Sequence, residues 1–182
     1  MAQIIFNFDP VERFVVGTIG EPGERTFYLQ ARSGTRLTSV AAEKSQIFAI
    51  AERITFLLKE LKKGDPTFRV ETLPIDSDPL EQPVFEEFRV GVMGLSWLSD
   101  REMVAIDFQA AAVDEDENAD IAPDDSEEAL DILRVLLTPA QAQAFALRSQ
   151  MVLNAGRPPC PFCAAPLDPR GHLCPRANGY RR

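Results

Sequence analysis

In the stretch EKSQIFAIAERITFLLKELKKG, residues 43–64, apolar side chains fall at Ile47, Ile50, Ala51, Ile54, Leu57, Leu58 and Leu61. That is the i, i+3, i+4, i+7 spacing of a helix with one apolar face. Lys59, Lys62 and Lys63 crowd its end, where cations meet the negative pole of the helix dipole, and Gly64 closes it. A helix with such a stripe must lie on another surface. No other feature constrains the fold as strongly.

The residues before it supply the surface. QIIFNF (Gln3–Phe8), RFVVGTI (Arg13–Ile19), RTFYLQA (Arg25–Ala31) and RLTSVA (Arg36–Ala41) are short, apolar and rich in strand formers. Turn-sized gaps such as GEPGE and RSGT separate them. Four such strands in succession predict an antiparallel meander.

Beyond the helix, residues 64–83 carry prolines at 66, 74, 79 and 83 and read as a loop, with one short strand near Phe68–Leu73. FEEFRVGVMGLSWL (Phe85–Leu98) and EMVAIDFQAAAV (Glu102–Val113) follow as two long strands joined at SDR. Val104, Ile106, Phe108 and Ala110 alternate with more polar neighbours, the pattern of a half-buried strand. Gly91 and Gly94 in its partner predict a bend or bulge. ALDILRVLLT (Ala129–Thr138) is one more strand. A second helix then begins with Thr138 as N-cap, Pro139 at its first position and Gln141 completing a capping box.

These elements sum to an α+β domain over residues 1–156: a curved antiparallel sheet of about six to eight strands with two main helices. With 182 residues, 45% hydrophobic and 26% charged, the chain fits one ordinary domain and a small appendage. No run of about 18 apolar residues is present. The N-terminus lacks the basic start, long apolar stretch and cleavage site of a secretory leader. The expected setting is therefore the cytoplasm.

All three cysteines and the single histidine of the chain lie within residues 160–174, CPFCAAPLDPRGHLC. An odd count argues against a disulfide framework. Cys160-Pro-Phe-Cys163 is a knuckle whose spacing lets two thiolates converge on one ion while turn amides face the sulfurs. Cys174 and His172 return after a gap in which Pro166, Pro169 and Gly171 let the chain double back. Zinc accepts three Cys and one His in a tetrahedron, a closed set that makes the ion structural. A second CxxC would be more usual; here Cys174-Pro-Arg-Ala177 has alanine in the last place, and His172 is the substitute. One residue alone separates His172 from Cys174, so the site needs a turn, which Gly171 permits. Redox chemistry at the CxxC, an iron–sulfur cluster and an unmetallated cluster stay open as alternatives, although no helix follows the CxxC and only three thiols exist. Residues 157–182 are thus expected to form a small zinc-ribbon-like module.

Charge is unevenly spread within a net of -9. Residues 114–128, DEDENADIAPDDSEE, hold nine acids and no base. Residues 157–182 hold five arginines against the single acid Asp168. The acidic run reads either as a solvated loop or as a clasp onto the arginine-rich tail. Arg157, Arg170, Arg176, Arg181 and Arg182, with Tyr180, form a candidate partner-binding surface, since guanidinium offers two-pronged donors to carboxylate or phosphate. The plain alternative is a solvated end.

No cysteine or histidine exists outside residues 160–174, so acid–base catalysis in the body would fall to carboxylates, Lys or Tyr. Asn7, Asp9 and Arg13 in FNFDPVER, and Asp107, are the suggestive polar residues; each is more commonly a turn former, an ion pair or a surface group. GTIGEPG precedes no helix and is not a phosphate-cradling loop. Trp97 and Phe108 are expected in the core.

FNFDPVERFVVGTIGEPGERTFYLQA, LTPAQAQAFALRSQMVL and GRPPCPFCAAPLDPRGHLCPRANGYRR together resemble an uncharacterised, mainly actinobacterial family, domain of unknown function 3090. The likeness covers essentially the whole chain. The resemblance implies a bacterial cytosolic setting and co-occurrence with a phosphomutase-like and a phosphatidylinositol-kinase-like protein, and no established activity. It places the family motif on Cys160, Cys163, His172 and Cys174, closing with Asn178–Arg182. The leading expectation is a non-enzymatic adaptor or binding protein with a structural zinc ion and a protein partner. Alternatives are an enzyme or accessory subunit in phosphate-ester metabolism with its site in the sheet domain, and weak, salt-sensitive nucleic-acid binding through the basic tail, which the acidic remainder opposes.

Overall fold

The structure is a computed structural model that describes residues 3–21, 23–112, 129–156, 159–165, 167 and 174–176. Its elements in chain order are β1 (Ile5–Phe8), β2 (Arg13–Ile19), β3 (Thr26–Ser33), β4 (Arg36–Ala42), α1 (Lys44–Gly64), β5 (Glu86–Leu98), β6 (Met103–Ala110), β7 (Ile132–Leu137) and α2 (Pro139–Asn154). All seven strands join one sheet in the order β1-β7-β6-β5-β4-β3-β2.

The sheet is mixed, which corrects the antiparallel expectation. Pairs β2–β3, β3–β4, β5–β6 and β6–β7 are antiparallel, but β4–β5 and β1–β7 are parallel. The reason for the first parallel pair is α1. A helix in the crossover carries the chain back to the starting end of β4, so β5 runs alongside it in the same direction. The second arises because β1 leaves the meander altogether. It pairs with β7, Ile5 opposite Ile132, and Ile132 N–H donates to Ile4 O at 3.0 Å. Only β2, β3 and β4 form the expected meander. The short strand expected near Phe68–Leu73 does not form.

Local signals elsewhere agree with the structure. Thr138 Oγ1 accepts from Gln141 N at 3.2 Å while Gln141 Oε1 accepts from Thr138 N at 2.9 Å, the reciprocal capping box. Ladder register slips between Val90 and Val92. A Cβ on Gly91 would stand 2.7 Å from Ala111 Cα, so only glycine fits this bulge. Gly94 lies in regular register opposite Asp107.

Helix α1 buries Ile47, Ile50, Ala51, Ile54 and Leu58, and α2 buries Ala142, Phe145 and Ala146, against one face of the sheet. Phe14 joins the layers, stacking on Phe145 at 4.5 Å and meeting Phe108 at 5.8 Å. Each such large side chain contributes about 1.5–3 kcal/mol by leaving water. Trp97 packs against this core and Phe108 lies fully inside it.

Residues 65–85 form a strap tied to the sheet by polar bonds. Arg13 Nε donates to Asp76 Oδ2 at 2.6 Å, and Arg148, buried on α2, donates to Asp76 Oδ1 at 2.9 Å and to Asp78 O at 2.7 Å. Arg148 also donates to Val16 O on edge strand β2 at 2.8 Å, so it caps the sheet edge and holds the strap at once. Buried Gln30 exchanges two bonds with Glu81, 2.8 Å to its amide and 3.1 Å to its carbonyl. Leu80 fills the space over Gly17, where a Cβ would approach to 2.5 Å.

Candidate metal centre

Helix α2 delivers the chain to the cysteine cluster, and its exit is fixed from outside. Arg25 donates to Val152 O and Ala155 O, both at 3.1 Å, and its guanidinium sits 5.2 Å from the Phe27 ring centre. No basic residue occupies the last turn of α2 itself. Arg25, just before β3, thus supplies the cation that a helix C-terminus favours. Sequence reasoning places Arg25 at the start of a strand and carries no signal for this role.

The knuckle is closed by two backbone bonds: Cys160 N–H donates to Ala165 O at 2.8 Å, and Ala164 N–H donates to Cys160 O at 2.9 Å. Ala164 adopts φ 60, the left-handed conformation that alanine disfavours by about 1–2 kcal/mol. That turn aims backbone N–H groups at sulfur. Burial opposes ionisation of Cys160, but N–H groups of Cys163 and Phe162, with the neighbouring thiols, outweigh it and bring its thiol below the ordinary cysteine value. Ala165 N–H favours the Cys163 thiolate; burial and the adjacent sulfurs push the other way and prevail, holding that thiol above it. A cation shared by the three sulfurs would relieve the repulsion between their ionised forms.

Sulfur atoms of Cys160, Cys163 and Cys174 all lie within 4.8 Å of one another. Cys160 Sγ and Cys174 Sγ are 3.8 Å apart, far beyond the roughly 2.05 Å of a disulfide. A tetrahedron with bonds of about 2.3 Å from metal to sulfur has edges of about 3.8 Å, so this separation fits a thiolate-bound ion. Cys160 and Cys174 are buried and Cys163 is half-buried. The three thiols predicted from the sequence are therefore brought together by the fold, and their donor chemistry fits a soft or borderline metal.

His172 lies outside the described residues, as do Arg157, Arg170, Tyr180, Arg181, Arg182 and the acidic run 114–128. Of the candidate partner-binding residues Arg176 is described; it donates to Phe162 O in the knuckle at 3.4 Å. The polar residues considered for catalysis are engaged elsewhere. Asp9 pairs with Arg101 through bonds of 2.7 and 2.8 Å, Asp107 with Arg134 at 2.8 and 3.0 Å, and Arg13 with Asp76. Asn7 contributes its carbonyl to Arg36. These contacts do not bring the set to one point.

A family model described as protein of unknown function (DUF3090) matches residues 6–174. The chain belongs to this family. The DUF3090 match runs from β1 to Cys174, so it takes in the sheet, both helices and all three thiols. Comparison of the DUF3090 chain with the curated proteins and with the solved structures finds no match. No helix among its described residues is long and apolar enough to cross a membrane.

Proposed function

We propose that this DUF3090 protein is a non-enzymatic adaptor or binding protein. Its C-terminal unit, residues 157–182, is built around a structural zinc ion held by Cys160, Cys163, Cys174 and His172. The observation that carries this reading is the convergence of three sulfurs within 4.8 Å, in a segment whose sequence offers little apolar material for a core of its own. Three thiolates and an imidazole leave no open coordination position, so the ion supplies folding energy and no chemistry. The engagement of Asp9, Arg13 and Asp107 in ion pairs supports a non-catalytic body. Arg176, packed on the knuckle, and the further arginines at 157, 170, 181 and 182, with Tyr180, give the metal unit a cationic face for an acidic protein partner in the cytoplasm. The phosphomutase-like and phosphatidylinositol-kinase-like proteins implied by the family resemblance are the first partners to try.

The same reading gives the body, residues 1–156, a strongly curved sheet. Consecutive amides of Val11 and Glu12 donate to Leu136 O on β7 and Arg32 O on β3. Strands four places apart in a flat sheet would stand roughly 19 Å from each other, too far for adjacent residues to bridge.

Elemental analysis of the purified protein tests the metal centre. One zinc per chain is expected in the wild type, with loss in Cys163→Ser and in His172→Ala. Unchanged metal content in Cys163→Ser removes the ligand assignment. Affinity capture by the isolated partners, with and without charge reversal at Arg176 and Arg181, tests the adaptor role separately.

A further inference from the structure

Between α1, α2 and the start of the strap lies a groove of about 400 Å³, within the usual size of small-molecule sites. Leu58, Phe68, Val70, Ala146 and Leu147 give it an apolar lining. Lys59, Lys62 and Arg69 line it as well, and among the described residues no acidic one does, in a chain whose net charge is -9. Lys63, one residue further on, pairs with Glu60. Among the described residues Lys59, Lys62 and Arg69 have no such carboxylate partner. Arg69 donates to the neutral carbonyls of Pro66 and Phe68; the Asp65 carboxylate is near enough to feel its charge but forms no ion pair with it and instead accepts from Thr67.

Helix-dipole complementarity accounts for a lysine at the end of α1. It accounts neither for Arg69, contributed by a different segment, nor for the apolar lining left open between the cations. An exposed guanidinium and two ammonium groups around an apolar hollow are what an amphipathic anion requires. We propose that this groove binds a small organic anion, its apolar body on Leu58, Phe68 and Leu147 and its carboxylate or phosphate head between Lys59, Lys62 and Arg69. Gln143 and Gln150, on the α2 side, offer neutral hydrogen bonds to the linking atoms of such a ligand.

The protein carries its own reporter. Phe68 meets Trp97, the single tryptophan of the chain, edge-on at 5.9 Å between ring centres. A ligand seated against Phe68 changes the surroundings of Trp97. The experiment titrates the full chain with octanoate, octyl phosphate, inorganic phosphate and 1-octanol, each below its aggregation concentration. Trp97 fluorescence and calorimetry are the two readouts. Saturable one-to-one binding of an octyl anion is expected, at least about tenfold tighter than either phosphate or octanol alone. The stronger of octanoate and octyl phosphate identifies the head group. Lys62→Glu with Arg69→Glu changes two exposed side chains and should weaken that binding at least about tenfold with melting temperature retained; the milder Lys62→Gln should give an intermediate loss. Octanol binding as tightly as the anions, unsaturable binding, or an unchanged affinity in the folded double variant would each overturn the proposal. None of these readouts depends on the metal ligands, so this site and the metal centre stand or fall separately.

Discussion

The sheet body and the cysteine tail bury opposite kinds of side chain. In the body, Leu29, Ile47, Ile50, Ile54, Ile106 and Phe108 are wholly enclosed and joined into one core with the helices. Among the described residues of the tail, Cys160 and Cys174 are the buried ones, while Phe162 is 43% exposed. One region is held by apolar area; in the other three sulfurs converge, and on the proposed reading an ion closes them into one unit. Area is distributed over many side chains and degrades gradually, whereas a ligand set is lost when a single donor goes. Each region should therefore fail to a different perturbation and leave its neighbour standing.

Metal removal gives the largest expected effect. On the proposed reading, chelation or Cys163→Ser abolishes the order of the tail, because zinc binding to such sites is worth about 10–16 kcal/mol. Limited trypsin digestion followed by mass spectrometry should show cleavage after Arg170 and Arg176 accelerated at least tenfold, on the order expected when protection by a bound ion is lost. The urea midpoint of the body should not move. A falling midpoint would mean that the two regions share one cooperative unit. Phe108→Ala is the converse. Deleting this enclosed ring should cost about 3–5 kcal/mol in urea unfolding, with zinc content of the folded fraction unchanged.

A third perturbation acts on the strap. Arg148→Ala removes bonds to Val16 O, Asp76 and Asp78 O together, and about 2–3 kcal/mol is expected for charged hydrogen bonds of this kind. Asp76 makes the same region pH-dependent. The guanidinium of Arg13 bonded to it holds its carboxyl below the ordinary value of 3.8, against the opposing pull of partial burial. A carboxylate depressed in the folded state stabilises above its unfolded pKa, and that contribution disappears as pH falls through the folded one. Wild type should thus exceed Asp76→Asn in stability at neutral pH, with the gap closing in acid. A gap constant down to the acid transition would show that the charge is irrelevant and the strap is held by carbonyls alone.

The contrast between the regions also governs what was legible in the sequence. The cysteine spacing is local and ligand geometry is demanding, so Cys160, Cys163 and Cys174 could be grouped from the chain alone. Helix α1 and the cap of α2 were legible for the same reason: periodicity and capping operate within a few residues. Strand partnership is not local. The composition of β1 marks it as a strand but does not say that its ladder partner lies beyond residue 130, and nothing in Ile5–Phe8 distinguishes a meander strand from an edge strand paired in parallel. Arg148 was hidden by its context, since an arginine among Ala142, Phe145, Ala146 and Ser149 reads as the polar side of a helix until PIDSDPLEQP is folded over it. Lys59 and Lys62 likewise read as helix-end lysines in the sequence, because Arg69 joins them only through the strap.

The smallest effect sharpens the comparison where it is most delicate, at the knuckle. Ala164 holds φ 60 so that the turn can close through Cys160 and direct the Ala165 amide to the Cys163 sulfur. Glycine adopts this conformation without the clash of a Cβ, but it also gains freedom in the open chain, which offsets part of the benefit by about 0.4–1 kcal/mol. The net for Ala164→Gly is a stabilisation of up to about 1 kcal/mol, or about fivefold in the zinc dissociation constant measured by competition with a chromogenic chelator. Because the change relieves strain in the tail and touches no residue of the core, the urea midpoint of the body should be identical in the two proteins. Weaker zinc binding in Ala164→Gly would mean that alanine's restriction preorganises the turn more than its strain disfavours it, and the knuckle would then resemble the body, held by a chain already constrained before the ion arrives.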